Sequence, residues 1–438
     1  MIIRTLLIIL AVNVFSLAYA LPDIETWNTK HGIKVMYVQA TELPMVDVAL
    51  TFDAGSVRDG KLPGISVLTH VLLNQGTGDL TADEIASEFE SVGAQYSANV
   101  DLDRSSISLR SLSKQEWFEK ALDLYIKVVS KPEFPERDFA RERDRMLIGL
   151  EDRLQRPSSI VSEAFYQALY QQHPYSQSSG GTKESLDQIT LKDVQKFHTN
   201  HLVSKGTILA IVGDVDRKQA EAIADRIGNA LPKDGVLNKI PKVKPAPAAK
   251  EDIDFPSQQA HVRIGMIGIQ RGNPDYFNLY VGNHVLGGGG FTSRLVEEVR
   301  GKRGLSYSVY SYFIPYRQPG PFMLGLQTRS DQAEQAIDVC YQVIDDFVQN
   351  GPTEEELELS KESIVNGFPL RVDSNRDILG YLSMIGYYDL PITYLNDFSK
   401  KIEAVTLEDV KKAFKKHLDV EDLVTIVVGN ETLSSNSE

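Results

Sequence analysis

The sequence predicts an α+β fold made twice, each copy a sheet with helices packed against it. Three observations predict it. Residues Thr190–Asp214 (TLKDVQKFHTNHLVSKGTILAIVGD) align without a gap on Thr406–Asn430 (TLEDVKKAFKKHLDVEDLVTIVVGN), at a constant offset of 216 residues. The segments that open the two halves correspond in kind and in order. Between the halves lies Lys233–Ser257, rich in Pro, Lys and Ala, which is the composition of an extended and fairly stiff connector.

The repeated segment reads as a helix followed by a strand. Thr190 and Thr406 stand three residues before Asp193 and Asp409, an N-cap with an acid in the first helical turn. Each helix ends near a His-Leu pair, His201-Leu202 or His417-Leu418, and runs into a β-branched strand that stops at Gly213 or Gly429. Earlier in each half, Val46–Asp53 and His261–Ile269 alternate as strands do. Apolar helices follow at Gly64–Leu73 and Tyr276–Leu286. A glycine-containing break comes next in both, Gly76-Thr77-Gly78 and the run Gly287 to Gly290. Gly93 and Tyr96 then match Gly304 and Tyr307.

The first residues carry Arg4, an apolar run and Ala18-Tyr19-Ala20, the pattern of a cleaved secretory signal. The expected division is a signal peptide at 1–20, a first domain at 21–232, a connector at 233–257 and a second domain at 258–432. The apolar run is short for a membrane span, so none is expected after cleavage. A secreted, periplasmic protein is the resulting expectation. Cys340 is the one cysteine, so no internal disulfide can form, and its place on an apolar helix face marks it as a small buried hydrophobe. A formal net charge of -14 argues against nucleic acid as a partner.

Four segments together resemble the pitrilysin/insulinase family of zinc peptidases. They are VDVALTFDAGS, GISVLTHVLLNQGT, HPYSQSSGGTKESLDQIT and GGGGFTSRLVEEVRGKRGLSYSVYSYF. The resemblance covers nearly the whole chain after the signal. It implies a clamshell of two homologous α+β domains around a chamber that admits peptides. Active members hold zinc with an inverted motif, H-x-x-E-H, on the helix before Gly-Thr. Two His at i and i+4 share one helix face and hold the metal, and the Glu acts as general base on the bound water. Here that stretch is Val67-Leu68-Thr69-His70-Val71. Val67 and Val71 stand in the two histidine positions and His70 in the glutamate position. The third ligand position corresponds to Glu151, aligned through Asp144 seven residues before it. His198 and His201, three apart, match Phe414 and His417 in the second copy, which favours a structural role at a helix end. No metal site of the chain's own is expected.

A second feature of the family is present. Arg300 and Tyr307 stand seven apart in VRGKRGLSYSVY, with Gly304-Leu305 between them. In active members such a pair reaches from the second half to the zinc centre and steadies the substrate carbonyl. Arg300 could instead pair with Glu297 and Glu298, and Tyr307 could be an ordinary strand aromatic. Gly288, Gly289 and Gly290 could admit a substrate backbone or simply form a turn.

The resemblance implies the non-catalytic subunit of a heterodimeric zinc endopeptidase, similar to the zinc-less subunit of bacterial heterodimeric and mitochondrial processing peptidases. Its partner would be a homologous zinc-bearing subunit, its substrate a peptide or unfolded polypeptide, and zinc would reside only in that partner. The alternative is a catalytically inert peptide-binding or scaffold protein of the same fold.

Overall fold

The computed structural model describes residues 23–236 and 238–429. The expected signal peptide at 1–20, and residues 430–432 of the expected second domain, lie outside the described residues.

The first half runs β1 (Glu25–Asn28), β2 (Lys34–Gln39), β3 (Met45–Phe52), α1 (Ile65–Leu72), β4 (Gly76–Thr77), β5 (Leu80–Thr81), α2 (Ala82–Ser91), β6 (Gln95–Val100) and β7 (Ser105–Leu112). It continues with α3 (Gln115–Ser130), α4 (Glu136–Leu154), α5 (Pro157–Tyr170), α6 (Lys183–Gln188), α7 (Leu191–His201), β8 (Ile208–Gly213) and α8 (Arg217–Ala230). The second half runs β9 (Ala249–Ile253), β10 (Gln259–Ile267), α9 (Tyr276–Asn283), β11 (Ser306–Phe313), β12 (Pro321–Arg329) and α10 (Ala333–Asn350). It ends with α11 (Glu354–Gly367), α12 (Asn375–Tyr387), α13 (Tyr394–Glu403), α14 (Leu407–His417) and β13 (Val424–Val428).

The duplication is visible in the sheets. The first has the order β1-β2-β8-β3-β7-β6 and the second β11-β12-β10-β13-β9. β3 lies between β7 and β8 as β10 lies between β12 and β13, and β6 and β11 are matching edges. All pairings are antiparallel except β2 with β8 and β9 with β13, which also correspond. The paired capping boxes are present as expected: Thr190 with Asp193 and Thr406 with Asp409.

The expected connector needs correction. Residues 249–253 of it are strand β9, the counterpart of β2, held in register along β13. The sequence AKEDI has no apolar alternation, and its side chains are largely exposed. Backbone hydrogen bonding along β13 places it, with Lys250 paired to Glu334 at 2.7 Å and Ile253 packed on the core beneath, contacts that no alternation of its residues announces.

Two helices pack across the division between the halves. Helix α5 belongs by sequence to the first half but packs on β13 and β10 of the second sheet. Helix α12 belongs to the second half but packs on β8, β3 and β2 of the first. The sheets are therefore covered on both faces, each by one helix on loan from the other half. The strand sequences demand this. β8 (ILAIVG) and β13 (VTIVV) are buried along their whole length, the pattern of strands with no solvent face. Val161, Phe165 and Leu169 of α5 share a core with Val424, Ile426 and Val428. Leu382 and Ile385 of α12 share one with Met36, Ile208 and Ala210. At Gly386 the helix comes so near that a Cβ would lie 2.5 Å from Ile208 Cγ2.

Polar contacts lock the same seam. Asp103 is 1% exposed. Its carboxylate accepts hydrogen bonds from the Arg317 backbone N–H (2.7 Å), the Tyr388 hydroxyl (2.8 Å) and the Tyr175 hydroxyl. Its carbonyl accepts from the Tyr387 hydroxyl at 2.6 Å. Arg317 in turn donates to the Tyr387 carbonyl (2.8 Å) and lies over that ring at 4.2 Å.

Phe165→Ala should cost about 3–5 kcal/mol, the range for a large buried aromatic. Because Phe165 is sequenced in one half and packed in the other, calorimetry should show both halves melting in a single, lowered transition. Two separate transitions with only one shifted would contradict the exchanged-helix account.

Candidate functional site

Helix α1 is where the family motif would lie. Its N-cap, Gly64, has no side chain to offer, and Asp59 supplies the missing acceptor. The Asp59 carboxylate takes hydrogen bonds from Gly64 N–H (2.7 Å) and Ser66 N–H (3.1 Å). Burial pushes this carboxyl up to about 7, against the pull of those bonds. Ile65, Leu68 and Leu72 face the core. Val67 is half-buried and Val71 is 38% exposed, one turn apart.

Two methyl-bearing side chains thus stand where a metal would need lone pairs. His70 turns the other way, 2% exposed, with Nδ1 2.7 Å from the Ser66 carbonyl and no partner at Nε2. Burial lowers its pKa to about 4, so it sits neutral in the core. Glu151 is exposed on α4. Among the described residues, no group of three or more His, Cys, Asp or Glu is placed to hold a metal ion. The residues present therefore do not fit a zinc centre on α1.

His198, His201 and His417 have structural partners. His198 meets the Val129 carbonyl through Nε2 at 2.8 Å and lies edge-on to Phe134. His201 lies tilted against Phe197 with ring centroids 4.5 Å apart, and burial lowers its pKa to about 4. His417 pairs with Asp275 at 2.8 Å, so both repeated histidines sit at helix ends, as expected. Cys340 is fully buried on α10, and burial pushes its thiol up to about 12.

The second half offers a different arrangement. Helix α9 runs into a π-helical turn at His284–Gly288, and a second π turn spans Val296–Gly301 and carries Arg300. The expected run to Leu286 is helical throughout, but its last turn is wider. Such turns are rare and concentrate at functional sites. Glu297 and Glu298 are engaged by Lys302 and Arg303, not by Arg300. Among the described residues the Arg300 guanidinium has no hydrogen bond or ion pair. It lies over the Tyr307 ring at 4.4 Å and the Phe291 ring at 4.9 Å. Phe291 is 78% and Tyr307 83% exposed.

A β-bulge explains the exposure of Tyr307. Ser306 pairs with Thr328 and Ser308 with Gln327, leaving Tyr307 as the extra residue of strand β11. Tyr96, its counterpart in the first half, pairs regularly with Leu109 and stacks on Phe89 at 5.7 Å. The matching sequence positions therefore hold one tyrosine facing out and one folded inward. Phe291 was not legible as a site residue; it has no counterpart signal in the first half and simply follows the glycines.

The glycine run has an intrachain reason. A Cβ on Gly288 would lie 2.9 Å from Asn283 Nδ2, and one on Gly289 2.6 Å from the His284 carbonyl. Gly290, at φ +65°, is exposed with open space around it.

Fold and site together define a two-domain α+β protein with valines on α1 where the resemblance places zinc ligands and an exposed arginine–tyrosine pair in its second half. The chain belongs to the M16 peptidase family, the insulinase family. The family model described as insulinase (peptidase family M16) matches residues 34–183, and that described as the peptidase M16 inactive domain matches 188–364. A crystal structure of a peptidase M16 inactive domain from Pseudomonas fluorescens is 41% identical, with a TM-score of 0.91, covering 93% of this chain and 98% of that one. A non-peptidase homolog, YmxG, from Helicobacter pylori is 26% identical over 91% of this chain and 92% of its own length. The crystal structure of a protease from Helicobacter pylori shares the fold, with a TM-score of 0.85 at 20% identity over 93% of this chain and all of that one.

The lowered pKa of His70 has a sign. Neutral when folded down to about pH 4, it takes up a proton on unfolding from about pH 6.5 downward. Its contribution is therefore complete above that value and lost as pH falls toward 4. Asp59, raised to about 7, works in the opposite sense, favouring the fold as pH falls from about 7 to 3.8. A His70→Leu variant isolates the first effect: urea melts should show less loss of stability between pH 6.5 and 4 than in the wild type. An equal slope in both would refute it.

Proposed function

We propose that this chain is the non-catalytic subunit of a two-subunit zinc endopeptidase of the M16 family. It binds peptide or unfolded polypeptide and lends Arg300 and Tyr307 to the zinc site of a homologous partner. The observation that carries this reading is the state of that pair. A guanidinium without a carboxylate partner is held between two exposed aromatic rings, beside a strand whose bulge turns the phenol outward. A salt-bridged arginine and an inward tyrosine would have no such role. A guanidinium and a phenol are donors suited to a developing oxyanion. Two edge strands, β6 and β11, leave backbone groups open to an extended peptide.

Alone, the chain has valines where zinc donors are needed, so it is inert as a peptidase, and zinc belongs to the partner only. The N-terminal pattern favours export to the periplasm. Among the described residues no helix is long and apolar enough to cross a membrane.

A second reading, an inert peptide-binding or scaffold protein, is favoured by the name non-peptidase homolog carried by a relative. The two part on complementation. Mixed with the zinc-bearing partner, the wild-type chain should support peptide cleavage that neither protein shows alone. Arg300→Ala and Tyr307→Phe should each lower kcat/KM by about 10²–10³ with the partner's zinc content unchanged. Equal cleavage by wild type and variants, or no cleavage in any mixture, would reject the complementing role. Metal analysis of the purified chain should find less than stoichiometric zinc.

A further inference from the structure

A cleft of about 490 Å³ opens on the second half, between helix α9 with its π turn, the end of β11 and the segment after α11. A neighbouring cleft of about 470 Å³ shares Arg271 and Tyr276 with it. These sizes suit a small ligand or a peptide end. The chain carries 60 acidic and 46 basic residues, yet no Asp or Glu lines either cleft. Arg271 and Arg371 line the first and Arg271 and Lys401 the second.

The two arginines are held apart by a pair of tyrosines. Tyr276 and Tyr280, one turn apart on α9, stack at 5.8 Å. Arg271 lies over Tyr276 at 5.8 Å and over Tyr388 at 5.4 Å. Arg371 donates to the Tyr280 hydroxyl at 2.7 Å. Among the described residues neither arginine meets a carboxylate, and Arg271 Nε has no hydrogen-bond partner. Asp275 is already taken by Lys416 and His417, and Asp389 by Lys34. In a protein of this charge, two cations that line one cleft without a counter-ion are a standing attraction for an anion. Tyr312 and Phe313 complete the wall with aromatic surface.

We infer that this cleft binds the carboxylate of a peptide, with Arg271 and Arg371 flanking the stacked Tyr276–Tyr280 pair as its receptors and the aromatic wall taking the adjoining side chain. Arginine's planar fork matches a carboxylate in two-bond geometry, and its stacking on tyrosine keeps the fork oriented. The choice of a peptide as ligand rests on the function proposed above. The site itself is independent of Arg300 and Tyr307, and it acts in binding, without the partner.

The carboxylate can come from a C-terminus or from an acidic side chain. The test uses the full chain alone and fluorescence anisotropy. Three fluorescein-labelled peptides are compared: one ending in Ala-Phe with a free carboxylate, its C-terminal amide, and the amide with one internal Glu. The free acid should bind, and amidation should weaken it about tenfold or more, the worth of a charge-assisted hydrogen bond. Arg271→Gln and Arg371→Gln should each weaken the free acid to a similar degree, with Arg371→Lys recovering part. Recovery of binding by the Glu-containing amide assigns the carboxylate to a side chain and upholds the site. The free-acid and amide comparison needs no variant, so a misfolded mutant cannot decide the outcome. Equal binding of acid and plain amide, or no binding of any peptide, overturns the inference. Loss of complementation by Arg300→Ala with peptide binding intact would leave this site standing, and the converse result would leave the complementing role standing.

Discussion

The exchange of helices between the halves is the constraint on which the rest depends. Strands β8 and β13 are buried along their whole length, and one face of each sheet is covered by a helix from the other half. Separated, each half would expose an apolar sheet face. Lending α5 one way and α12 the other removes both faces from water and makes two sequence repeats into one folding unit. Asp103 then gathers donors from Tyr175, Arg317, Tyr387 and Tyr388, which come from both halves. A buried carboxylate in a seam is stable only when its acceptors are filled, so this hub specifies one relative placement of the domains.

Within that frame the two copies have drifted in opposite senses. On α1 Val67 and Val71 stand where the family resemblance places zinc ligands, while His70 is a neutral core residue. In the second half the helix matching α1 ends in a π turn, and further along a bulge accompanies an exposed Arg300–Tyr307 contact. The divergence is local. A bulge of one residue in β11 is enough to carry Tyr307 outward where Tyr96 in β6 is folded in, because strand side chains alternate and one inserted residue changes the face. Chemistry can therefore move from one copy to the other while strand order and core remain shared.

Three arginines of the second half bear on its proposed function: among the described residues, Arg300, Arg271 and Arg371 meet no carboxylate in a chain with an excess of them. Arg294, by contrast, is paired with Glu356 and Asp346. Arg300 and Arg271 are backed by aromatic rings, which hold a guanidinium in place without neutralising it, and Arg371 is held by the Tyr280 hydroxyl.

The sequence by itself determined the duplication, the capped helices at Thr190 and Thr406, the valines at positions 67 and 71 of α1, and the family. Each rests on residue identity at a position or on a local period, which a chain carries wherever it folds. Only the tertiary structure decided the rest. Strand β9 is placed by backbone bonds along β13 that no alternation of its residues announces. The loan of α5 and α12 depends on which apolar face is nearest after folding, and sequence order does not record it. The freedom of Arg300 depends on Lys302 and Arg303 occupying the acids beside it. The carboxylate cleft depends on Arg271 and Arg371, a hundred residues apart, meeting across Tyr276 and Tyr280. Those are relations in space between residues that no local pattern connects.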